Sequence, residues 1–171
     1  NLKESGNRKS SDEKIAQQKL VMANNANKDS KWFCIDIEWV KAFADRQEKE
    51  KAEYTGRFDI IAISKKEPHR VAIIELKYGK GAMSGNSGVC KHLNDFNSFL
   101  TKGYYSDFKE ELTNIINSYK MLGFEIPVSG TKYCECPDFY FVTLNNNKDE
   151  AKKEMGKYMF SKASKYHTEF G

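Results

Sequence analysis

Two stretches decide the reading of this chain: Arg57-Phe58-Asp59-Ile60-Ile61-Ala62-Ile63-Ser64 and Arg70-Val71-Ala72-Ile73-Ile74-Glu75-Leu76-Lys77-Tyr78. Both are rich in β-branched residues, and the segment from Lys65 to His69, with Pro68, has the composition of a turn. They predict two neighbouring strands of a hairpin. The apolar run Val71 to Ile74 implies burial on both faces, which suits a central strand covered by helices. Each strand carries charge where an apolar residue is expected. Asp59 interrupts the run from Phe58 to Ile63, and Glu75 and Lys77 terminate the other run. Side chains alternate along a strand, so Glu75 and Lys77 share a face and Leu76 takes the opposite one. In a hairpin, Asp59 lies where the Glu75 end of its partner arrives. Two carboxylates and an ammonium then meet at one edge of the sheet.

Working outward, Trp32-Phe33-Cys34-Ile35-Asp36-Ile37-Glu38-Trp39-Val40 predicts a third strand. Alternation puts Phe33, Ile35, Ile37 and Trp39 on one face and Cys34, Asp36, Glu38 and Val40 on the other. Before it, Ser10-Ser11-Asp12-Glu13 is a capping sequence for a helix to about Ala26, with Ile15, Leu20 and Val21 as apolar contacts and residues 1–9 frayed. Asp45 to Glu53 is highly charged and fits either a short helix or an exposed connection. After the second quoted stretch, Gly79 to Gly88 is a glycine- and serine-rich loop. It leads into a helix from Val89 to Leu100 with Val89, Leu93, Phe96 and Leu100 at helical spacing, and Gly103 ends it. A second helix is expected over about 107–122, with Phe108, Leu112, Ile115, Ile116 and Tyr119 on one side. Phe139 to Leu144 predicts a strand, and Asn145-Asn146-Asn147 caps a last helix over about 148–165. The fold class is α/β: a mixed sheet, made of an antiparallel three-strand meander plus a further strand, flanked by helices. No repeat or linker divides residues 1–171, so one domain is expected.

The chain carries 28 basic and 24 acidic residues, a net charge of +4. That permits a polyanionic partner without demanding one. No apolar run approaches the roughly 20 residues of a membrane helix. The N-terminal sequence lacks the apolar core of a secretory leader. Cysteines that read as free thiols fit a cytoplasmic protein. Cys134-Glu135-Cys136 has one intervening residue where a zinc knuckle has two to four, so zinc is not expected.

Charges placed as deep as Asp59, Glu75 and Lys77 are costly unless paired or bound to metal. Hard carboxylate oxygens suit Mg²⁺, or Mn²⁺ in its place, which keeps several waters and takes one or two carboxylates. Such an ion polarises a phosphoryl oxygen and lowers the pKa of a bound water. A nearby lysine helps that water or stabilises charge developing on phosphorus oxygens. The bland alternative is a strand-end ion pair, worth little if exposed. The loop and helix start Ser84-Gly85-Asn86-Ser87-Gly88-Val89-Cys90-Lys91-His92 follows directly. Its glycines let backbone N–H groups approach a phosphate, and a helix N-terminus favours an anion. Lys80, Ser87, Lys91 and His92 are the candidate substrate-binding residues.

Asp59 followed by Glu75-Leu76-Lys77 on the next strand resembles the PD-(D/E)xK, restriction-endonuclease-like nuclease superfamily. The expected order of strands and helices from about residue 31 to 165 is similar to that family's core. The resemblance implies metal binding by Asp59, Glu75 and the Leu76 carbonyl, and service to the nucleophilic water by Lys77. It also implies a further acid beside the metal, for which Glu38 is the candidate, and a polar side chain from the following helix. The implied activity is Mg²⁺-dependent hydrolysis of DNA, with RNA left open and a homodimer allowed. Phe58 stands where the family name has proline, as in many members. Pro137-Asp138 follows the Glu75 motif instead of preceding it and is a decoy. An acid, any residue, then lysine recurs elsewhere, for example at Asp12, Asp29 and Asp107, but in polar helix starts or loops. The rival reading is a nuclease-like module that binds nucleic acid or a protein without cleaving.

Overall fold

The computed structural model describes residues 2–42, 56–79 and 88–145, together with positions 47, 149, 153 and 156, and side chains from Asp12 onward. The expectations for 45–53 and for a helix over 148–165 lie outside the described residues, as do Lys80 and Ser87. In chain order the elements are α1 (Leu2–Ala26), β1 (Trp32–Val40), β2 (Arg57–Ser64), β3 (Val71–Tyr78), α2 (Val89–Thr101), α3 (Tyr104–Met121) and β4 (Asp138–Leu144). The strands form one mixed sheet in the order β1-β2-β3-β4. β1 pairs antiparallel with β2, β2 antiparallel with β3, and β3 parallel with β4. The parallel pairing follows from the α2–α3 crossover, which returns the chain to the sheet in the direction of β3.

Alternation along β2 divides the core in two. Ile61 and Ile63 join Ile35, Trp39, Val71 and Ile73 under Phe96 and Phe99 of α2 and Phe108, Leu112 and Ile116 of α3. Ile60 and Ala62 join Cys34 and Ala72 in a smaller cluster, against which Leu20 and Val21 of α1 pack. Helices therefore cover both faces, and β2 and β3 are buried on each side. Phe99, which the expected helical stripe omitted, is fully buried. Its ring lies 5.3 Å from Phe58, 5.6 Å from Phe108 and 6.1 Å from Trp39, all edge-on. Burying one such ring contributes about 2–3 kcal/mol.

Three local features depart from the expectations. β1 does not alternate cleanly: its register shifts between Cys34 and Asp36, and Glu38 has φ 57°. α1 extends back to Leu2, and Ile15 faces solvent, leaving Leu20 and Val21 as its apolar contacts. α3 begins at Tyr104 because Gly103, with φ 78°, makes the left-handed turn that lets one helix follow the other closely. Tyr105 is thereby buried, and its hydroxyl donates to the Cys134 carbonyl at 3.1 Å.

β1 forms one edge of the sheet, and side chains cover it at Cys34 and Ile35. The Asn25 carboxamide accepts the Cys34 N–H and donates to the Cys34 carbonyl, both at 2.8 Å, as a neighbouring strand would. The Tyr119 hydroxyl donates to the Ile35 carbonyl at 3.2 Å. Among the described residues, no helix is long and apolar enough to cross a membrane.

Candidate active site

The β2–β3 ladder runs from Ile63–Val71 to Ile60–Ile74. Continued by one step, the same register sets Asp59 opposite Glu75. Here the strands part, and Asp59 Oδ2 accepts the Leu76 N–H at 2.8 Å where a backbone carbonyl would otherwise have done so. β3 stays extended beyond this point because its other side remains paired: Glu75 with Phe141, Leu76 with Val142 and Lys77 with Thr143. β4 thus holds the Glu-Leu-Lys segment in place after β2 has diverged. The N–H and C=O of one strand residue leave the same edge of the strand. The Leu76 carbonyl therefore lies on the edge that carries Asp59.

All three charged residues are buried: Asp59 is 7% exposed, Glu75 3% and Lys77 6%. Such burial is costly unless each charge is met. Lys77 Nζ donates to Glu75 Oε1 at 3.0 Å and to His92 Nε2 at 2.8 Å. His92 Nδ1 lies 3.0 Å from the same Glu75 oxygen. An ammonium can only donate, so Nε2 accepts and the imidazole proton sits on Nδ1, directed at Glu75. The first turn of α2 thus clamps the Glu75–Lys77 pair from the side. Burial works hardest against ionisation of Glu75, but hydrogen bonds from His92 and Lys77 and the Lys77 charge outweigh it and hold the carboxyl below its ordinary range. Asp59 goes the other way. Burial first, and the Glu75 charge second, push it up to about 7, against the pull of the Leu76 N–H and Lys77.

The remaining expected site residues divide. Lys91 is partly exposed and pairs at 3.4 Å with Asp95, itself buried, one turn on. Glu38 is held outside the Glu75–Lys77–His92 cluster, with Arg57 at 2.6 Å and Lys14 at 3.3 Å. Its backbone takes a positive φ of 57°, within the stretch of β1 that follows the register shift after Cys34. Sequence reasoning found α1 as a helix but missed that it approaches the site. Glu13 on that helix is close enough for its charge to raise Asp59 further. Gln17, one turn on, is 1% exposed. The available signal was the helical stripe Glu13, Gln17, Leu20, Val21 and Asn24, in which polar and apolar residues share one face.

Among the described residues, no group of three or more His, Cys, Asp or Glu side chains is arranged to hold a metal ion. Asp59 and Glu75 make a two-carboxylate set, with the Leu76 carbonyl beside them. That donor set fits Mg²⁺ or Mn²⁺, which keep most of their waters. An Asp59 carboxyl pushed to about 7 by burial and by its acidic neighbour is also a group that a cation would return to its ionised form. No family model matches the chain, and neither the curated proteins nor the solved structures yield a match.

Proposed function

We propose that this protein is a Mg²⁺- or Mn²⁺-dependent nuclease of PD-(D/E)xK type that hydrolyses DNA phosphodiester bonds. The observation that carries the reading is the convergence of Asp59, Glu75 and Lys77, all buried, where β2 leaves β3. Asp59, Glu75 and the Leu76 carbonyl would hold the cation. When bound, it supplies Lewis-acid polarisation of a phosphoryl oxygen and a more acidic water. Lys77 supplies a positive charge fixed by Glu75 and His92, so it need not reorganise as negative charge grows on the phosphate. His92 orients Lys77 and Glu75 together. Lys91, beside it, and Lys80 neutralise flanking phosphates.

One observation favours the rival, non-cleaving module: Glu75 Oε1 is already engaged by both Lys77 and His92. A closed ion-pair cluster of this kind can serve architecture alone. Plasmid cleavage with Mg²⁺ or Mn²⁺ separates the readings. Cleavage is expected with either ion, and EDTA is expected to stop it without changing the circular-dichroism spectrum. Absence of cleavage of duplex and single-stranded DNA, with the folded protein saturated in Mn²⁺, favours the module.

A further inference from the structure

The Gln17 carboxamide is buried to 1% exposure and makes no hydrogen bond among the described residues. Buried polar groups are nearly always satisfied, so an orphan in a well-packed interface calls for a missing partner. Its position says where that partner lies. Glu13, Gln17, Leu20, Val21 and Asn24 follow one another along a single face of α1. At one end of that face, Asn24 donates to the Trp32 carbonyl, and Leu20 and Val21 cover Ile60, Ala62 and Ala72. At the other end, the Glu13 charge is felt at Asp59. Gln17 therefore sits on the boundary between the apolar cluster and the carboxylate end of β2 and β3. An apolar residue would suit the cluster better, and a solvated polar residue would not be buried.

We propose that Gln17 is a positioning residue of the Asp59–Glu75 site, its carboxamide oxygen accepting a hydrogen bond from a water bound to the divalent cation. The inference rests on the reading of that site as a cation site. Cation-bound waters are strong donors, and an amide oxygen is a neutral acceptor that adds no charge to an already acidic corner. Outer contacts of this kind orient the inner ones, and their loss typically weakens metal binding about 10–100-fold.

The test uses the full chain and Mn²⁺ alone, with binding read by the loss of the free-ion electron paramagnetic resonance signal and with melting temperatures recorded with and without the ion. Gln17→Met keeps the volume and removes the polar group. It is expected to melt higher than wild type without metal and to bind Mn²⁺ about tenfold more weakly. Gln17→Glu keeps the shape and adds charge, and is expected to bind Mn²⁺ more tightly than wild type. Glu75→Gln is expected to abolish binding. Binding that Glu75→Gln abolishes but neither Gln17 variant alters overturns the proposal and leaves the proposed function standing. A wild-type chain that does not bind Mn²⁺ overturns both.

Discussion

The Asp59 carboxyl takes the Leu76 N–H at 2.8 Å, just beyond the last paired residues of β2 and β3, Ile60 and Ile74. A side chain thus ends a backbone ladder, and the carboxyl that does so is forced up to about 7 by burial and by Glu75. The sign of the resulting pH dependence is fixed. The folded state holds this proton at pH values where the unfolded chain, with an ordinary aspartate near 3.8, has lost it. Stability supplied by this group is full below the unfolded value and is lost as pH rises towards 7. Asp59→Asn retains an acceptor for Leu76 and removes the titration. Urea denaturation without divalent ions should show the variant gaining on wild type by about 3 kcal/mol as pH is raised from about 4.5 to 7.5. Glu75, held low, acts in the opposite direction and only below its ordinary range. A pH-independent difference between the two proteins would remove Asp59 from this account.

Lys77 and His92 should separate kinetically. Lys77→Met is expected to lower the single-turnover cleavage rate by at least ~100-fold while DNA affinity stays within about threefold. His92→Gln leaves the 3.0 Å Lys77–Glu75 contact available and should cost only about tenfold in rate. Lys77→Met also leaves Glu75 buried without its cation, a loss of about 3–5 kcal/mol in stability. Adding Glu75→Gln to Lys77→Met should restore part of that stability and none of the rate. Restored cleavage in the double variant would rule out a chemical role for the pair.

With a net charge of only +4, affinity for a polyanion must come from local clusters. Replacing both Lys80 and Lys91 by glutamine should weaken binding to all DNA sequences about equally. The slope of log affinity against log salt should fall by about one unit for each lost contact. Lys91 has Asp95 as a resting partner at 3.4 Å, so the loss at this position should be the smaller of the two. An unchanged slope would put the nucleic-acid surface elsewhere.

Gly130 offers a purely structural check. Its φ is +75°, and a Cβ there would stand 2.8 Å from Ile116 Cδ1. Gly130→Ala combines left-handed strain with overpacking of a fully buried isoleucine and should cost about 2–4 kcal/mol in denaturation. Ile116→Val in the same background should recover part of it.

What could be read in advance follows from how local the signal is. Asp59, Glu75 and Lys77 stood out because each breaks an apolar run in its own strand, and a hairpin brings such neighbours together. The mixed sheet followed from the same alternation and from the two amphipathic helices after it. β1 was legible as a strand, and so was much of its facing: Phe33, Ile35 and Trp39 meet the larger cluster and Cys34 the smaller. The register shift after Cys34 and the positive φ of Glu38 come from fitting against β2, and no local pattern announces them. Glu13 and Gln17 were the least legible. They lie more than forty residues before Asp59 on a largely polar helix, and only docking of α1 against the sheet brings them near it. Gly103 was read as a stop, whereas its left-handed turn lets α3 begin at once and buries Tyr105.

The carboxamide of Asn25 has a consequence for how copies of this chain can meet. Exposed strand edges recruit other chains, because unpaired N–H and C=O groups are a template for sheet extension. On β1 both backbone groups of Cys34 are taken by Asn25, and the Ile35 carbonyl by Tyr119. A second molecule that tried to lengthen the sheet from this side would first have to expel two side chains anchored in α1 and α3. Around Cys34 and Ile35 this flank is thus guarded against extension of the sheet by another chain.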